Sequence, residues 1–249
     1  MLIAAVVGFI WGAGILPAQT TPLDQKLEAE IETDITCELT DKPKRSAIPV
    51  FNTPEDTEAA LGTYHYKLWL PKGYHEDTKK EWPCMFIMSA GGNAKMGKMA
   101  DYLKTNGYIV VMLVEAENGP WPPIVGNFLA AHDDVVERLR VGDKYATGAS
   151  GGARGSSVFV QIRPGFTGLI LQAAGVAFDD NGAYFTKQIN DLPKLRVAML
   201  MGNQDRNKVE VERMENLMDK KKFKVFPFEG GHGFAPGETF AEAMNWIVE

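Results

Sequence analysis

The chain has 249 residues, of which 45% are hydrophobic and 23% are charged, a balance that is typical of a globular protein. This composition excludes a largely disordered chain, a collagen-like repeat and a polytopic membrane protein. The formal net charge is −6, whereas a nucleic-acid-binding protein would carry a basic surplus to neutralise phosphates. We therefore expect no nucleic-acid partner. The sequence also lacks a metal-ligand cluster and a dinucleotide-binding G-x-G-x-x-G motif, so we expect no cofactor and no metal.

An apolar segment opens the chain. Residues 1–18 carry no charged side chain, and Pro17-Ala18 is followed by polar residues, as at a signal-peptide cleavage zone. We interpret residues 1–18 as an export signal, which predicts a secreted or periplasmic protein without stable membrane insertion after processing. A membrane anchor is the alternative, because about 18 residues is the lower limit for spanning a bilayer. A buried N-terminal helix is a third interpretation.

Residues 19–60 are polar and rich in proline, and we interpret them as an N-terminal lead-in with an edge strand around Ala47–Phe51. The chain has two cysteines, Cys37 and Cys84, which are too few for a disulfide scaffold or a structural zinc site. They could form one bridge in an oxidising compartment, or they could be two unrelated thiols. If the chain is exported, such a bridge would tie the lead-in to the sheet.

From residue 61 onward, predicted strands and helices alternate. Tyr64, Tyr66 and Leu68 alternate with polar residues, as in a half-buried strand. Further apolar runs lie at 84–88, 108–114, 145–149, 169–173, 197–201 and 223–228. Helical patterns separate these runs, including one that follows Gly92 and ends near Thr105. Short apolar strands joined by helices predict an α/β fold with a doubly wound, mainly parallel sheet, helices on both faces and no lid domain. We assign this domain to residues 61–249.

The loops that follow the predicted strands are the candidate site, because ligands of an open α/β sheet bind beyond the carboxyl ends of its strands. The segment Gly148-Ala149-Ser150-Gly151-Gly152 fits G-x-S-x-G between a predicted strand and a predicted helix. Small flanking residues permit the tight turn that exposes the serine, and the Gly151 N–H would face a developing oxyanion. We predict Ser150 as a nucleophile and Gly151 as an oxyanion donor. A glycine-rich turn with an incidental serine is the alternative.

A serine nucleophile needs a base and an acid that orients the base. His232 is the one of the four histidines that follows a predicted strand between glycines, whereas His132 lies on an apolar helical face and is expected to be a core residue. Asp205 follows the run 197–201 and gives the order serine, acid, histidine, which is the order of α/β-hydrolases. The Asp179-Asp180 pair after the preceding strand competes with Asp205 as the acid.

Other loops suggest supporting residues. Gly91 or Gly92 could supply a second backbone oxyanion donor, although the same turn could simply begin a helix. Trp121 could stack on a sugar or an aromatic acid, or it could pack in the protein. Arg154 could bind an acidic substrate group, or it could pair with a nearby carboxylate. We take Trp121 and Arg154 as candidate substrate-binding residues.

The motifs together resemble the α/β-hydrolase superfamily. The resemblance covers about residues 64–246 and is nearest to small, lidless, secreted esterases related to polyhydroxybutyrate depolymerases and to feruloyl and acetyl-xylan esterases. The segments that carry it are Leu70–Tyr74, Gly148–Arg154, Gly202–Asp205, Gly230–Phe234 and Ala243–Trp246. One departure is Ser89-Ala90, where such enzymes usually have His-Gly.

The resemblance implies that Ser150 is the nucleophile, Asp205 the acid and His232 the base of a serine esterase. The implied reaction forms an acyl-enzyme from a small-molecule or polymer-linked ester, and water then releases the acid. Two other functions remain open at this point: a serine peptidase on the same fold, and a non-catalytic binding protein that has kept the fold.

Overall fold

A computed structural model of the protein describes residues 27–249. The predicted export signal at residues 1–18 lies outside the described residues and stays a prediction. Within residues 27–249, no helix combines the length and the apolar character that are needed to cross a bilayer.

One eight-stranded sheet organises the described residues. Its strands are β1 (Glu32–Leu39), β2 (Gly62–Trp69), β3 (Trp82–Ser89), β4 (Ile109–Leu113), β5 (Val141–Ala149), β6 (Phe166–Gln172), β7 (Arg196–Gly202) and β8 (Phe223–Phe228). Their order across the sheet is β1-β2-β4-β3-β5-β6-β7-β8. Strands β3 to β8 run parallel, and β1 and β2 are antiparallel to their neighbours. The carboxyl ends of the parallel strands therefore meet along one edge, where the predicted site residues lie.

Helices cover both faces of the sheet. The helices are α1 (Pro54–Ala59), α2 (Ala100–Thr105), α3 (Trp121–Arg138), α4 (Gly151–Ile162), α5 (Thr186–Asn190), α6 (Val209–Leu217) and α7 (Gly237–Val248). Helices α3 and α4 pack on one face, where the rings of Phe128 and Phe159 stack with centroids 4.0 Å apart. Helices α2 and α7 pack on the other face through Leu103 and Phe240. This arrangement confirms the predicted doubly wound α/β fold, and the described chain adds no lid domain to it.

The edge strand differs from the prediction. Residues 47–51 do not form a strand: Ala47 ends a single 3₁₀ turn at Arg45–Ala47, and the side chains of Ile48, Val50 and Phe51 still pack into the core. The edge of the sheet is β1, which buries Ile35, Cys37 and Leu39 on one face. The sheet thus begins well before residue 61, where we predicted that the domain starts. The period-two alternation of these three residues with polar ones is the signal that places the strand there.

The two cysteines are free and buried, so of the two interpretations that the sequence left open, a bridge or two unrelated thiols, the structure shows two unrelated thiols. Cys37 lies on β1 and Cys84 on β3, and β2 and β4 separate these strands. Three strand spacings of about 4.8 Å place the two strands about 14 Å apart, whereas a disulfide needs Cα atoms within about 7 Å. Burial raises the pKa of the Cys37 thiol to about 12, so this cysteine is an unreactive core residue.

The helix that we predicted from Gly92 to Thr105 is shorter than expected. Only Ala100–Thr105 is α-helical, after one 3₁₀ turn at Gly97–Met99. Gly92, Asn93 and Gly97 have positive φ angles of 69°, 45° and 50°, which a right-handed helix does not accommodate. The loop before α2 is therefore irregular backbone at the carboxyl end of β3.

His132 is a buried core histidine, as predicted, with 4% of its surface exposed. Its Nε2 lies 2.9 Å from Lys144 Nζ, and its Nδ1 lies 2.8 Å from Asp133 Oδ1. Asp133 also accepts a hydrogen bond from Arg163 Nε at 2.8 Å. Because the ammonium donates to Nε2, the neutral imidazole carries its proton on Nδ1 and donates it to Asp133. Burial lowers the pKa of His132, and the neighbouring Lys144 acts in the same direction.

This arrangement predicts a pH-dependent stability. As pH falls through about 6.5, the unfolded chain binds a proton on this histidine that the folded protein resists. We expect the free energy of unfolding to fall by at most about 1.4 kcal/mol per pH unit from this group. Urea unfolding at a series of pH values between 7.5 and 5.5 should show this loss in the wild type. In His132→Gln the free energy of unfolding should change less with pH. Equal slopes in the two proteins would contradict the assignment.

Candidate active site

Ser150 occupies a strained turn between β5 and α4. Its backbone has φ 58° and ψ −120°, a region that residues other than glycine rarely adopt. The Ser150 amide donates a hydrogen bond to the Gln172 carbonyl at 2.8 Å, which fixes the turn to β6. A Cβ atom at Gly148 would lie 2.5 Å from the Gly152 backbone, and one at Gly152 would lie 2.6 Å from the Met88 carbonyl oxygen. The two glycines of the motif therefore permit the close packing that holds the serine out from the sheet.

The start of α4 offers a backbone donor beside the serine. Gly151 is the first residue of the helix, and its N–H has no acceptor among residues 27–249. Of the two other predicted donors, Gly92 donates to the Ser89 carbonyl at 3.0 Å, so its N–H is already engaged in the turn. Gly91 makes only a long contact of 3.4 Å to Ser89 Oγ. The Gly91 N–H is therefore the less engaged of the two, and the predicted role of Gly92 does not fit its hydrogen bond.

Asp205 and His232 form the second part of the site. Both carboxylate oxygens of Asp205 lie 3.0 Å from His232 Nδ1. The aspartate is 1% exposed and also accepts a hydrogen bond from the Asn207 amide at 2.8 Å. It is therefore held in one orientation and can fix the imidazole with Nε2 free.

The two competing acids, Asp179 and Asp180, bond to groups other than His232. Asp179 accepts hydrogen bonds from the amides of Asn181 and Ala183, and Asp180 accepts one from the Asn52 side chain. The structure thus pairs the histidine with Asp205. The hydrogen bonds of the described residues do not include one between Ser150 Oγ and His232, a contact that is often long in free enzymes and shortens when substrate binds.

Gln172 is a buried residue that sequence reasoning missed. Its backbone carbonyl holds Ser150, while its side-chain oxygen accepts a hydrogen bond from the Ala235 amide at 3.0 Å. Its side-chain nitrogen donates to Thr147 Oγ1 at 3.0 Å. One residue, through its backbone and its side chain, therefore joins the serine turn to the loop that carries His232. The available signal was a single polar residue at the end of an otherwise apolar strand.

A cavity of about 400 Å³ opens beside Gly151. Trp121, at the first position of α3, lines this cavity and also packs partly against the core. It is therefore a packing residue that also presents a surface to the cavity, and its role in substrate binding stays a prediction. Other apolar walls come from Ile124 and Phe178.

Arg154 lines the same cavity but is paired. Its guanidinium donates to Glu210 Oε1 at 2.6 Å and to the Val176 carbonyl at 3.0 Å. Glu210 is buried and also accepts a hydrogen bond from the Gly175 amide at 2.8 Å. Because a buried carboxylate balances its charge, Arg154 anchors the cavity wall and is a poor binder of an acidic substrate group.

The site is built from side chains and backbone amides. No group of three or more histidine, cysteine, aspartate or glutamate residues in the described chain could hold a metal ion. A serine on a strained turn, a histidine–aspartate pair and free backbone N–H groups are the parts that nucleophilic acyl transfer requires.

No protein-family model and no curated protein sequence matches the chain, but solved structures do. S-formylglutathione hydrolase from Staphylococcus aureus superposes with a TM-score of 0.59 at 12% identity, covering 88% of this chain and 100% of that one. A ferulic acid esterase superposes with a TM-score of 0.56 at 13% identity, covering 87% and 96%. The fluorophosphonate-binding serine hydrolase FphF of Staphylococcus aureus gives 0.56 at 11% identity, covering 88% and 99%.

At these identities the likeness establishes the fold. It agrees with the mainly parallel sheet, the helices on both faces and the position of the serine turn between β5 and α4. The chain therefore has the α/β-hydrolase fold.

Proposed function

We propose that the protein is a serine hydrolase that cleaves carboxylic ester bonds through an acyl-enzyme intermediate. The observation that carries this proposal is the Asp205–His232 pair, in an α/β-hydrolase fold whose strained β5–α4 turn presents Ser150. The structural neighbours that are named as hydrolases and an esterase support the same reaction class.

The reaction follows from these parts. His232 Nε2 accepts the Ser150 hydroxyl proton while Oγ attacks the ester carbonyl carbon, and Asp205 stabilises the imidazolium that forms. The carbonyl oxygen becomes an oxyanion that accepts hydrogen bonds from the Gly151 and Gly91 amides. Collapse of this intermediate expels the alcohol, which takes the proton from His232. Water activated by His232 then attacks the acyl-enzyme and releases the acid.

The cavity beside Gly151 suggests which esters fit. Its walls are partly apolar, Arg154 is neutralised by Glu210, and Asp179 and Asp180 lie at its lining. This balance favours an ester whose bound group is apolar and uncharged over one that carries a carboxylate.

Hydrolysis of p-nitrophenyl butyrate tests the proposal, with the matched p-nitroanilide as a peptide-bond mimic. We expect turnover of the ester and little or none of the anilide. Comparable turnover of the anilide would favour the peptidase alternative. Absence of ester hydrolysis between pH 6 and 9, together with no labelling by a fluorophosphonate, would favour the binding-protein alternative.

Asp205→Asn tests the role of the acid. The asparagine amide can donate a hydrogen bond to Nδ1, which leaves the proton on Nε2, where it cannot accept the serine proton. We expect kcat for p-nitrophenyl butyrate to fall by about 10³–10⁴-fold. Asp179→Asn is the comparison with the competing acid: the Asp179 carboxylate bonds to amides of its own loop and lies at the cavity lining, so we expect kcat to fall less than about tenfold. Equal losses in both variants would contradict the assignment of Asp205.

A further inference from the structure

We propose that the side-chain amide of Asn118 is an additional oxyanion donor, which hydrogen-bonds the tetrahedral intermediate beside the Gly151 N–H. The inference rests on the proposed function and adds a residue that the motifs do not contain. Asn118 lies on the loop between β4 and α3, and it lines the cavity together with Gly151.

The amide of Asn118 lies directly over Gly151. A Cβ atom built on Gly151 would meet Asn118 Oδ1 at 1.7 Å and Nδ2 at 3.2 Å, so the amide occupies the space where any other residue would place its side chain. The Gly151 Cα atom is one bond from the nitrogen that faces the oxyanion. A half-turn of χ2 exchanges the two ends of the amide and brings Nδ2 over this position.

This contact explains a glycine that the motif leaves open. G-x-S-x-G requires small residues at 148 and 152 but sets no residue at 151. In this protein, a side chain at position 151 would displace the Asn118 amide from the place that it occupies. Glycine at this position therefore leaves room for a polar group at the first turn of α4.

The backbone of Asn118 is bonded to the turn that carries Gly91. Its N–H donates to the Ala90 carbonyl at 2.8 Å. The base of the loop is held by Asn127, which is fully buried, accepts hydrogen bonds from the amides of Glu115 and Ala116, and donates to the His65 carbonyl at 2.9 Å. The backbone of Asn118 is therefore held in place, which keeps its exposed side chain beside Gly151.

The Asn118 side-chain amide has free hydrogen-bond donors. Within residues 27–249 it makes no hydrogen bond, so its amide donors are available to a ligand in the cavity. The backbone donors are few, because Gly92 is engaged with Ser89. A side-chain amide at this point would add a third donor to the Gly151 and Gly91 amides, and such donors serve in other acyl-transfer enzymes.

Kinetics of Asn118→Ala and Asn118→Asp test the proposal. With p-nitrophenyl butyrate we expect kcat to fall by about 10²-fold in Asn118→Ala, with KM changed less than about threefold because the donor acts mainly in the transition state. Asn118→Asp keeps the shape of the side chain but replaces the donor with a negative charge, so its kcat should fall further. Asn106→Ala makes the same chemical change next to the amino end of β4, away from the site, and should keep the wild-type kcat.

Inhibition by an alkyl trifluoromethyl ketone distinguishes an oxyanion donor from a residue that only supports the fold. Its adduct with the serine carries an oxyanion, so its inhibition constant should rise in Asn118→Ala in parallel with the loss of kcat/KM. Unchanged kcat and inhibition in both Asn118 variants, beside an active wild type, would overturn this inference and leave the proposed function intact. A wild type that neither hydrolyses the ester nor reacts with the ketone would overturn both. If Asn118→Ala fails to fold, Asn118→Asp decides.

Discussion

Ser150→Ala should abolish ester hydrolysis, with a fall in kcat of at least about 10⁴-fold. The substitution removes the one oxygen that attacks the carbonyl carbon and leaves the rest of the site in place. In the described residues the Ser150 hydroxyl makes no hydrogen bond that holds the fold, so the variant should unfold at the wild-type urea concentration. We therefore expect Ser150→Ala to lose its activity and to keep the stability of the wild type.

Ser46→Ala is the matched control for this variant. Ser46 is exposed and lies in the 3₁₀ turn that follows β1, so the same loss of a hydroxyl should leave kcat unchanged. Initial rates with p-nitrophenyl butyrate at saturating substrate measure both variants. Residual hydrolysis in Ser150→Ala above about 1% of the wild-type rate would mean that another group attacks the ester.

Gly148→Val should destabilise the fold and remove activity together. The first carbon of any side chain at this position would lie 2.5 Å from the carbonyl carbon and oxygen of Gly152 and 2.6 Å from the Met88 carbonyl oxygen. These are backbone atoms of α4 and β3, which cannot move aside without breaking the serine turn. We expect the free energy of unfolding to fall by about 3 kcal/mol or more.

Gly142→Ala is the control for the backbone clash. Gly142 lies on the same strand, β5, and a Cβ atom there would meet its nearest neighbour, Glu81 Cβ, at 3.4 Å, which is close to ordinary contact. Urea unfolding followed by tryptophan fluorescence should show a change of less than about 1 kcal/mol for this variant. Equal stability of the two glycine variants would show that the turn is looser than its geometry indicates.

The central part of the fold follows from sequence because its signals are local. Strands β3 to β7 are short apolar runs, and each is followed by a turn that carries small or polar residues. Asp205 and His232 come directly after the neighbouring strands β7 and β8, so their proximity follows from chain order alone. Glycines around Ser150 predict the turn for the same reason: their effect is on the backbone next to them.

The remaining features depend on contacts between distant segments. Strand β1 has a polar outer face, so its three buried residues give a weak signal. The partner of Arg154 is Glu210, which follows it by 56 positions, and no local pattern marks that pairing. Gln172 and Asn118 contact residues of the candidate site that lie on other loops. The sequence left the pairing of the cysteines open for a related reason, because the number of cysteines does not reveal that two strands lie between the thiols.

Mapping the site of covalent labelling is the direct test that Ser150 is the nucleophile. The wild-type protein is treated with a fluorophosphonate, digested, and the modified peptide is sequenced by mass spectrometry. We predict one phosphonate adduct, on Ser150, which is absent in Ser150→Ala and forms more slowly in Asp205→Asn. An adduct on another residue, or complete recovery of unmodified Ser150 after prolonged treatment of folded protein, would contradict it.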